Sequence, residues 1–352
     1  MVLTDRKLQI KEAMMKRQMQ KFSCAVMLLT VAAMVGAGVA PAYAAWEPTK
    51  PVEFIVPAGA GGASDQMART IQGIIMKYKL MKPPVMIFNK GGASGAEGAM
   101  EVKEAKADPH KLLVAFSLIY TLPIAQNLPL GWENFNPVAM IALDDFILWV
   151  HSDSPYKTAK DYVNAIKAAP EGTIKAGGTG SKREDQIITV AFEKVVGKKI
   201  TYIPYSSGGE ASTQLAGKHI DSNVNNPSEN VAQWRAGAAR PLCVFSDKPM
   251  DYKKKVADIA WSDIPTCKSQ GIDVQYQMLR AFFLPPGTTK EQVAFYANLL
   301  KQVVSKPEWH EYTENNALTR HYATGDEFVD FLKKDMAKHV QLMTEAGLAA
   351  KK

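Results

Sequence analysis

Cysteine is scarce in this chain, with three among 352 residues, at Cys24, Cys243 and Cys267. That number excludes a disulfide framework and a four-cysteine zinc site. Metal-ligand spacing is missing as well. None of the six histidines (His110, His151, His219, His310, His321, His339) has a partner at such a spacing, and His310-Glu311 lacks a second histidine four residues on. There is no Gly-x-Ser-x-Gly elbow and no glycine loop ending in Gly-Lys-Ser/Thr. No pair of acids stands in an obvious catalytic relation. The chain therefore offers no identified nucleophile, base, metal or cofactor, and it reads as a binding protein and not as an enzyme. Charge of one sign is also modest. The net charge is +7, but residues 1–44 hold six Lys/Arg against two acids, which leaves about +3 for the rest. That is too mild to imply a nucleic-acid partner. After the first 44 residues no apolar run is long enough to span a bilayer.

What the chain does have begins with an export-type leader. Lys16, Arg17 and Lys21 precede Phe22–Val39, 18 residues without a charge. Ala42-Tyr43-Ala44 then places small residues where a signal peptidase reads, so cleavage is expected after Ala44, with a periplasmic mature protein. The competing reading is an uncleaved anchor, since 18 residues is near the lower limit for a spanning helix. The leader ahead of the basic residues is long, so Met14, Met15 and Met19 are alternative starts. Cys24 follows Lys21-Phe22-Ser23, which is not a lipidation box. Cys243 and Cys267 are able to pair in an oxidising compartment.

About 308 residues remain after the leader, enough for two lobes with separate cores. Strand-like runs alternate with helix-like ones: Val52–Val56, Val85–Phe88 and Leu112–Phe116 as strands, Ser64–Tyr78 and Ala93–Ala105 as helices. That alternation predicts an α/β fold with parallel sheets and crossover helices, and two glycine turns along the chain suggest a ligand cleft between two lobes. Phe146–Val150 reads as a strand leaving the first lobe. The expected division is a leader over 1–44, a first lobe over 45–150, a second lobe over 151–249, and a return to the first lobe over 250–352. Thr158–Ala168, Asp185–Val196, Thr288–Val304 and Asp326–Glu345 read as helices.

Two glycine turns about 115 residues apart carry the functional reading. The first follows Val52–Val56 and contains Gly59, Ala60, Gly61 and Gly62, with Ser64 and Asp65 opening a helix and either one a candidate N-cap. The second follows Ile174–Ala176 and contains Gly178, Thr179, Gly180 and Ser181, with Lys182 and Arg183 next. Glycine lets successive N–H groups converge, and a helix N-terminus adds positive potential, so each turn is a candidate anion cradle. A bulky residue at Gly61 is expected to fill the first one. Arg183 suits a second carboxylate. Glu184 and Asp185 read first as helix caps, with an amino group on the ligand as the alternative. Ser117, Tyr120, Ser206, Asn225 and Asn226 sit at strand ends that are expected to face the crevice, with a turn role for Asn225-Asn226-Pro227 as the alternative.

In this order the motifs resemble the extracytoplasmic receptors of tripartite tricarboxylate transporters, over roughly Pro48 to Lys352. The matching segments include Val52-Glu53-Phe54-Ile55-Val56-Pro57, Asn89-Lys90-Gly91-Gly92, Gly178-Thr179-Gly180-Ser181, Gly217-Lys218-His219-Ile220-Asp221 and Phe283-Leu284-Pro285-Pro286-Gly287. The resemblance implies a two-lobed, type II-like periplasmic binding protein. It would work as a monomer without cofactor or metal, close over a small organic carboxylate and dock on membrane permease subunits. The departures are Asn225 where many members carry an acid, Lys182–Gln186 where a Ser/Ala-Ser-His run is common, and Ala58-Gly59-Ala60 in place of Phe-x-Pro-Gly. With Arg183 and two amides expected in the pocket, a di- or tricarboxylate is the preferred ligand, with an aromatic dicarboxylate behind it. The rivals are a receptor for a signalling partner and a nucleotide-dependent enzyme. For the latter, Ser64 replaces the third glycine of a dinucleotide turn, and Asn89 and Lys90 replace the ribose-binding acid.

Overall fold

The computed structural model describes residues 11, 14–19 and 46–351. The apolar leader segment and the cleavage site after Ala44 lie outside the described residues. The segment from Trp46 to Lys352 forms one compact unit.

That unit is built on two sheets. The chain runs β1 (Val52–Val56), α1 (Ala63–Tyr78), β2 (Val85–Asn89), α2 (Ala96–Glu104), β3 (Lys111–Ala115), α3 (Leu118–Gln126) and β4 (Asn136–Asp145). It continues through β5 (Ile147–His151), α4 (Ala159–Ala168), β6 (Lys175–Thr179), α5 (Glu184–Val196), β7 (Thr201–Tyr205), α6 (Gly208–Ala216), β8 (Ser222–Asn225), α7 (Pro227–Arg235) and β9 (Ala239–Val244). Then come β10 (Gln277–Leu284), α8 (Lys290–Val304), α9 (Pro307–Asn315), β11 (Thr319–Ala323) and α10 (Gly325–Glu345). The first sheet has the order β11-β4-β10-β3-β1-β2 and the second β7-β6-β8-β5-β9. This is the mixed α/β, two-lobed architecture expected, with one correction. The sheets are not purely parallel. β2, β1 and β3 run parallel, as do β7, β6 and β8, but β10, β4 and β11 pair antiparallel, and so does β5 with β8 and β9.

The antiparallel pairs arise where the chain changes lobe. Phe146 is the only residue between β4 of the first sheet and β5 of the second. Ile147–His151 therefore belongs to the second lobe and not to the end of the first. The return crossing is also later than residue 250. Trp261 and Ile264 still pack in the second-lobe core with Trp149 and Trp234, and Val244 bridges to Thr266. Cys243 and Cys267 form a disulfide across this segment, with Cα atoms 4.9 Å apart.

Local sequence explains most of the elements. α1 buries Met67, Ala68, Ile71, Ile74 and Ile75 at helical spacing and ends on Lys79 in the left-handed region. Each fully buried isoleucine stabilises the fold by roughly 1.5–3 kcal/mol. Capping boxes open α4 (Thr158 with Asp161) and α8 (Thr289 with Gln292). The helix expected over Ala93–Ala105 starts only at Ala96, because Ala93 and Ser94 adopt positive φ and Gly95 turns at φ +97. A side chain on Gly95 would stand 2.8 Å from the Pro57 carbonyl, so this turn packs directly on the end of β1.

Candidate functional site

Both glycine turns meet at the interface of the lobes, at the C-terminal ends of β1 and β6, where open α/β sheets place their ligands. Between them lies a cavity of about 20 Å³, room for one water-sized group. Its walls include Gly62, Ala63, Ser64 and Phe116 from the first lobe and Thr179, Arg183, Glu184, Asp185, Asn226 and Glu229 from the second. Ala58, Phe146 at the crossover, Ser207, Met278 and Arg280 complete it. The lobes are closed on each other. Gly59 N–H donates to the Ser206 carbonyl at 3.3 Å, and Ser94 Oγ donates to the Ser181 carbonyl at 3.2 Å.

The first turn is a cradle whose donors are already engaged. Gly61, at φ +77, gives its N–H to the Asp65 carboxylate at 2.9 Å. Asp65 is also held by Arg69 at 2.9 Å and by the Asn89 amide at 3.1 Å. Burial pushes this carboxyl up, but the hydrogen bonds from Arg69, Gly61 and Asn89 outweigh it and hold Asp65 below the usual carboxylate range. The N-cap of α1 is Gly62, which has no side chain to offer, so neither Ser64 nor Asp65 caps the helix. The acceptor comes from the other lobe instead. Glu229 Oε1 takes the Ala63 N–H at 3.0 Å.

The second turn is satisfied largely from within its own lobe, with Ser181 N–H reaching Ser94 Oγ of the first lobe at 3.4 Å. Thr179 N–H donates to the Asp185 carboxylate, and Gly180, at φ +61, donates to the Tyr205 carbonyl at 2.8 Å. Gly178 is needed for packing. A Cβ there would lie 2.5 Å from Asp185 Cβ and 2.7 Å from Tyr202 Oη. Burial raises the Asp185 carboxyl well above its ordinary value, and the neighbouring Glu229 and Glu184 charges add to the rise. Burial raises Glu229 too, against its bond from Ala63 and the nearby Arg280.

Two guanidiniums complete the site. Arg183 lies 4.5 Å over the Phe116 ring, and its hydrogen bond within the chain runs from Nε to Glu184 Oε2 at 3.3 Å. Arg280 is wholly buried and fully used. Its Nε and Nη2 hold Asp144, Nη1 reaches Ser64 Oγ at 2.8 Å, and Nη2 reaches Asn226 Oδ1 at 3.1 Å. The Asn226 amide in turn donates to the Asp145 carbonyl at 2.9 Å, which ties α7 of the second lobe to the crossover.

Of the residues expected at the site, Gly62, Ser64, Thr179 and Arg183 line the cavity. Gly59, Gly61, Gly180, Ser181 and Asp65 shape its rim or brace the turns, and Ala60 is exposed. Gly178 supports Asp185 from behind. Four expectations are corrected. Tyr120 is a core residue stacked near His339, with ring centroids 4.6 Å apart. Ser117 is buried beside it at the start of α3, away from the cavity. Ser206 turns out to solvent and binds Glu210. Asn225 is buried under α6, where it holds the Gly208 carbonyl at 2.8 Å and Asn230 at 2.7 Å, so its neighbour Asn226 takes the crevice position. Nothing lies within 4 Å of the Cβ that a substitution at Gly61 would add. Missing from the sequence reading are Asp144, Glu229 and Arg280. The available signal was a lone arginine in the apolar strand Met278–Leu284 and an acid pair ending the apolar run Val138–Leu143.

Comparison with known proteins places this geometry. The family model described as "Tripartite tricarboxylate transporter family receptor" matches residues 67–348. The "UPF0065 protein in gbd 5'region" of Cupriavidus necator is 24% identical over 337 residues, covering 94% of this chain and 99% of that protein. The structure of periplasmic binding protein BugD superposes with a TM-score of 0.78 at 22% identity, covering 86% of this chain and 100% of that one. A Rhodopseudomonas palustris protein, Rpa4515 with adipate, superposes at 0.77 with 21% identity, covering 86% and 99%. At these identities the two structures establish the fold alone.

Proposed function

The chain belongs to the tripartite tricarboxylate transporter receptor family, and on that premise we propose that it is an exported receptor that captures a small organic carboxylate between its lobes and presents it to a membrane permease. Members of this family are receptors and not enzymes, and they are periplasmic binding proteins. One observation carries the reading for this chain. Two helix N-termini from opposite lobes, those of α1 and α5, converge with two arginines on one enclosed cavity. Helix N-termini and guanidiniums are the groups that hold a carboxylate.

The mechanism is ligand-gated closure. A cavity of about 20 Å³ admits no acid of four or more carbons, so the ligand enters with the lobes apart. Closure then brings Phe116 against Arg183 and Ala63 against Glu229, and excludes water. The bound acid shifts the population toward the closed form by the contacts it makes with both lobes. Adipate bound by a protein of the same fold supports a ligand of this class. A thermal-shift screen against C4 to C6 dicarboxylates, citrate, phthalates, nicotinate and acidic amino acids, with NAD as control, tests the reading. Bound ligand raises the melting temperature by mass action. A shift with one carboxylate class supports the receptor. A shift with NAD alone, or with no acid at all, overturns it.

A further inference from the structure

The motif Asn89-Lys90-Gly91-Gly92 and the Ala93-Ser94-Gly95 that follows it line no part of the cavity. Their backbone is nevertheless strained. Ala93 (φ 50, ψ 48) and Ser94 (φ 59, ψ 29) are consecutive non-glycine residues in the left-handed region, and Gly95 follows at φ 97. Left-handed backbone is unfavourable for an L-residue, and it persists only where the surrounding structure imposes it. Here the support is the first glycine turn. A Cβ on Gly91 would lie 3.1 Å from the Ala58 carbonyl carbon and 3.2 Å from the Gly59 nitrogen. Gly95 N–H closes the turn on the Gly91 carbonyl at 3.1 Å, and Gly92 N–H is held by Glu97 at 3.1 Å.

What the strained turn achieves is the placement of one hydroxyl. Ser94 Oγ donates to the Ser181 carbonyl at 3.2 Å and accepts the Ser181 N–H at 3.4 Å, so it grips both backbone polar groups of one residue in the opposite lobe. The facing turn is left-handed too, with Gly180 at φ +61 and Lys182 at φ +58 on either side of Ser181. Lys182 Nζ then reaches the Ala125 carbonyl at 3.4 Å, in the last turn of α3, where a cation is favourable. Three of the eight non-glycine residues with positive φ among the described residues, Ala93, Ser94 and Lys182, thus belong to this one contact. Neither Ser94 nor Ser181 lines the cavity, so the contact acts on the lobes and not on the ligand.

We infer that the turn at residues 93–95 is a closure latch. Through the Ser94 hydroxyl it holds the second glycine turn against the first lobe and sets how long the lobes stay shut. Its two hydrogen bonds join groups on different lobes, so they stabilise the closed form alone and shift the open–closed equilibrium by their net worth. The inference rests on the receptor reading, in which the lobes part and close.

The test is a disulfide trap in the chain from Ala45 onward. A Cβ on Gly62 would lie 3.3 Å from Ser207 Cβ across the lobes, near the separation that a disulfide spans. Cys243 and Cys267 are paired, so Gly62→Cys with Ser207→Cys introduces the only free thiols. The rate at which this double-cysteine parent oxidises reports how often the lobes are closed, and it needs no ligand. Ser94→Gly removes the hydroxyl and relieves the strain, whereas Ser94→Ala removes the hydroxyl and keeps it. Both should slow trapping by about three- to tenfold, the range that one net hydrogen bond supports. Ser94→Gly should melt no lower than the parent, which a merely structural serine would not allow. An unchanged rate in both variants, a slowing in only one of them, a lower melting temperature for Ser94→Gly, or a parent that forms no trap would overturn the inference. Carboxylate binding is read separately by thermal shift on the chain without added cysteines, so loss of the latch leaves the receptor reading standing.

Discussion

The two glycine turns are made from the same parts, a strand, a run of glycines and a helix, yet a backbone donor in each is satisfied from a different source: Ala63 at the start of α1 and Thr179 at the end of β6. In the first, the acceptor arrives from the opposite lobe, 166 positions away, as Glu229. In the second it comes from the turn's own helix, as Asp185 six positions on. The glycines differ in the same way. Gly61 turns in open space, whereas Gly178 is pressed against Asp185 and Tyr202. Both turns touch the opposite lobe, the first through Ala63 and Glu229 and the second through Ser181 and Ser94, so the contrast lies in which carboxylate takes the backbone donor and in how closely Gly61 and Gly178 are packed. A glycine turn before a helix creates demand for an anion, and whichever carboxylate can reach it will answer.

The largest expected effect comes from removing the residue that serves both sides. Arg280→Ala leaves Asp144 buried and unpaired and frees Ser64 and Asn226 together, so urea unfolding should show a loss of about 3–5 kcal/mol. A loss below about 1 kcal/mol would mean that Asp144 is neutralised some other way. Next, Gly178→Ala should cost about 1–3 kcal/mol by overpacking against Asp185. Gly61→Ala should cost only about 1 kcal/mol, from the positive φ alone. Equal costs would break the contrast between the turns. Third, Glu229→Ala removes an acceptor that spans the lobes, worth about 1 kcal/mol. In solution scattering the ligand-free variant should be larger than the parent, while Asp185→Asn should leave the dimensions unchanged. The reverse pattern would assign closure to the second turn.

The smallest effect concerns the crossover that joins the two turns. Burial, with the charge of Asp144, pushes the Asp145 carboxyl up to about 7 from 3.8. The folded chain holds that proton more strongly than the unfolded chain does. The resulting stability is full below about pH 4 and lost as pH rises through about 7. His339, pushed down to about 4 from 6.5 by burial, acts oppositely and loses its contribution as pH falls through that window. Their sum is a flat profile, so the comparison of variant with parent isolates one group. Asp145→Asn should melt a few degrees higher than the parent at pH 8 and show no such gain at pH 4. A constant difference at all pH values would mean that Asp145 does not titrate in this range.

Much of this was legible along the chain. The apolar spacing of α1, the Thr158–Asp161 box and the glycine turns are local patterns, and local geometry enforces them. The two-lobed arrangement was legible from the chain's length and its paired glycine turns, and the family from the ordered set of motifs. The lobe boundaries were not, because a single residue, Phe146, separates strands of different sheets and carries no turn signal. Arg280 was hidden for a related reason. One charge among Met278, Leu279, Ala281, Phe282, Phe283 and Leu284 looks like an ordinary strand residue until Asp144 is seen beside it. Asn225 and Asn226 show the limit at finer scale, since the last residue of β8 goes under α6 and the N-cap of α7 that follows it enters the crevice.

Residue order alone settles backbone freedom at Gly61 and Gly180, the periodicity of each helix and strand, and the presence of two anion-demanding turns. All of these depend on φ, on side-chain branching and on neighbours within a few positions. The fold decides which carboxylates meet those turns, which arginine is left with a free end, and how much charge is buried between the lobes. Those depend on distances across the chain, and the interaction of two charges falls as the inverse of their separation.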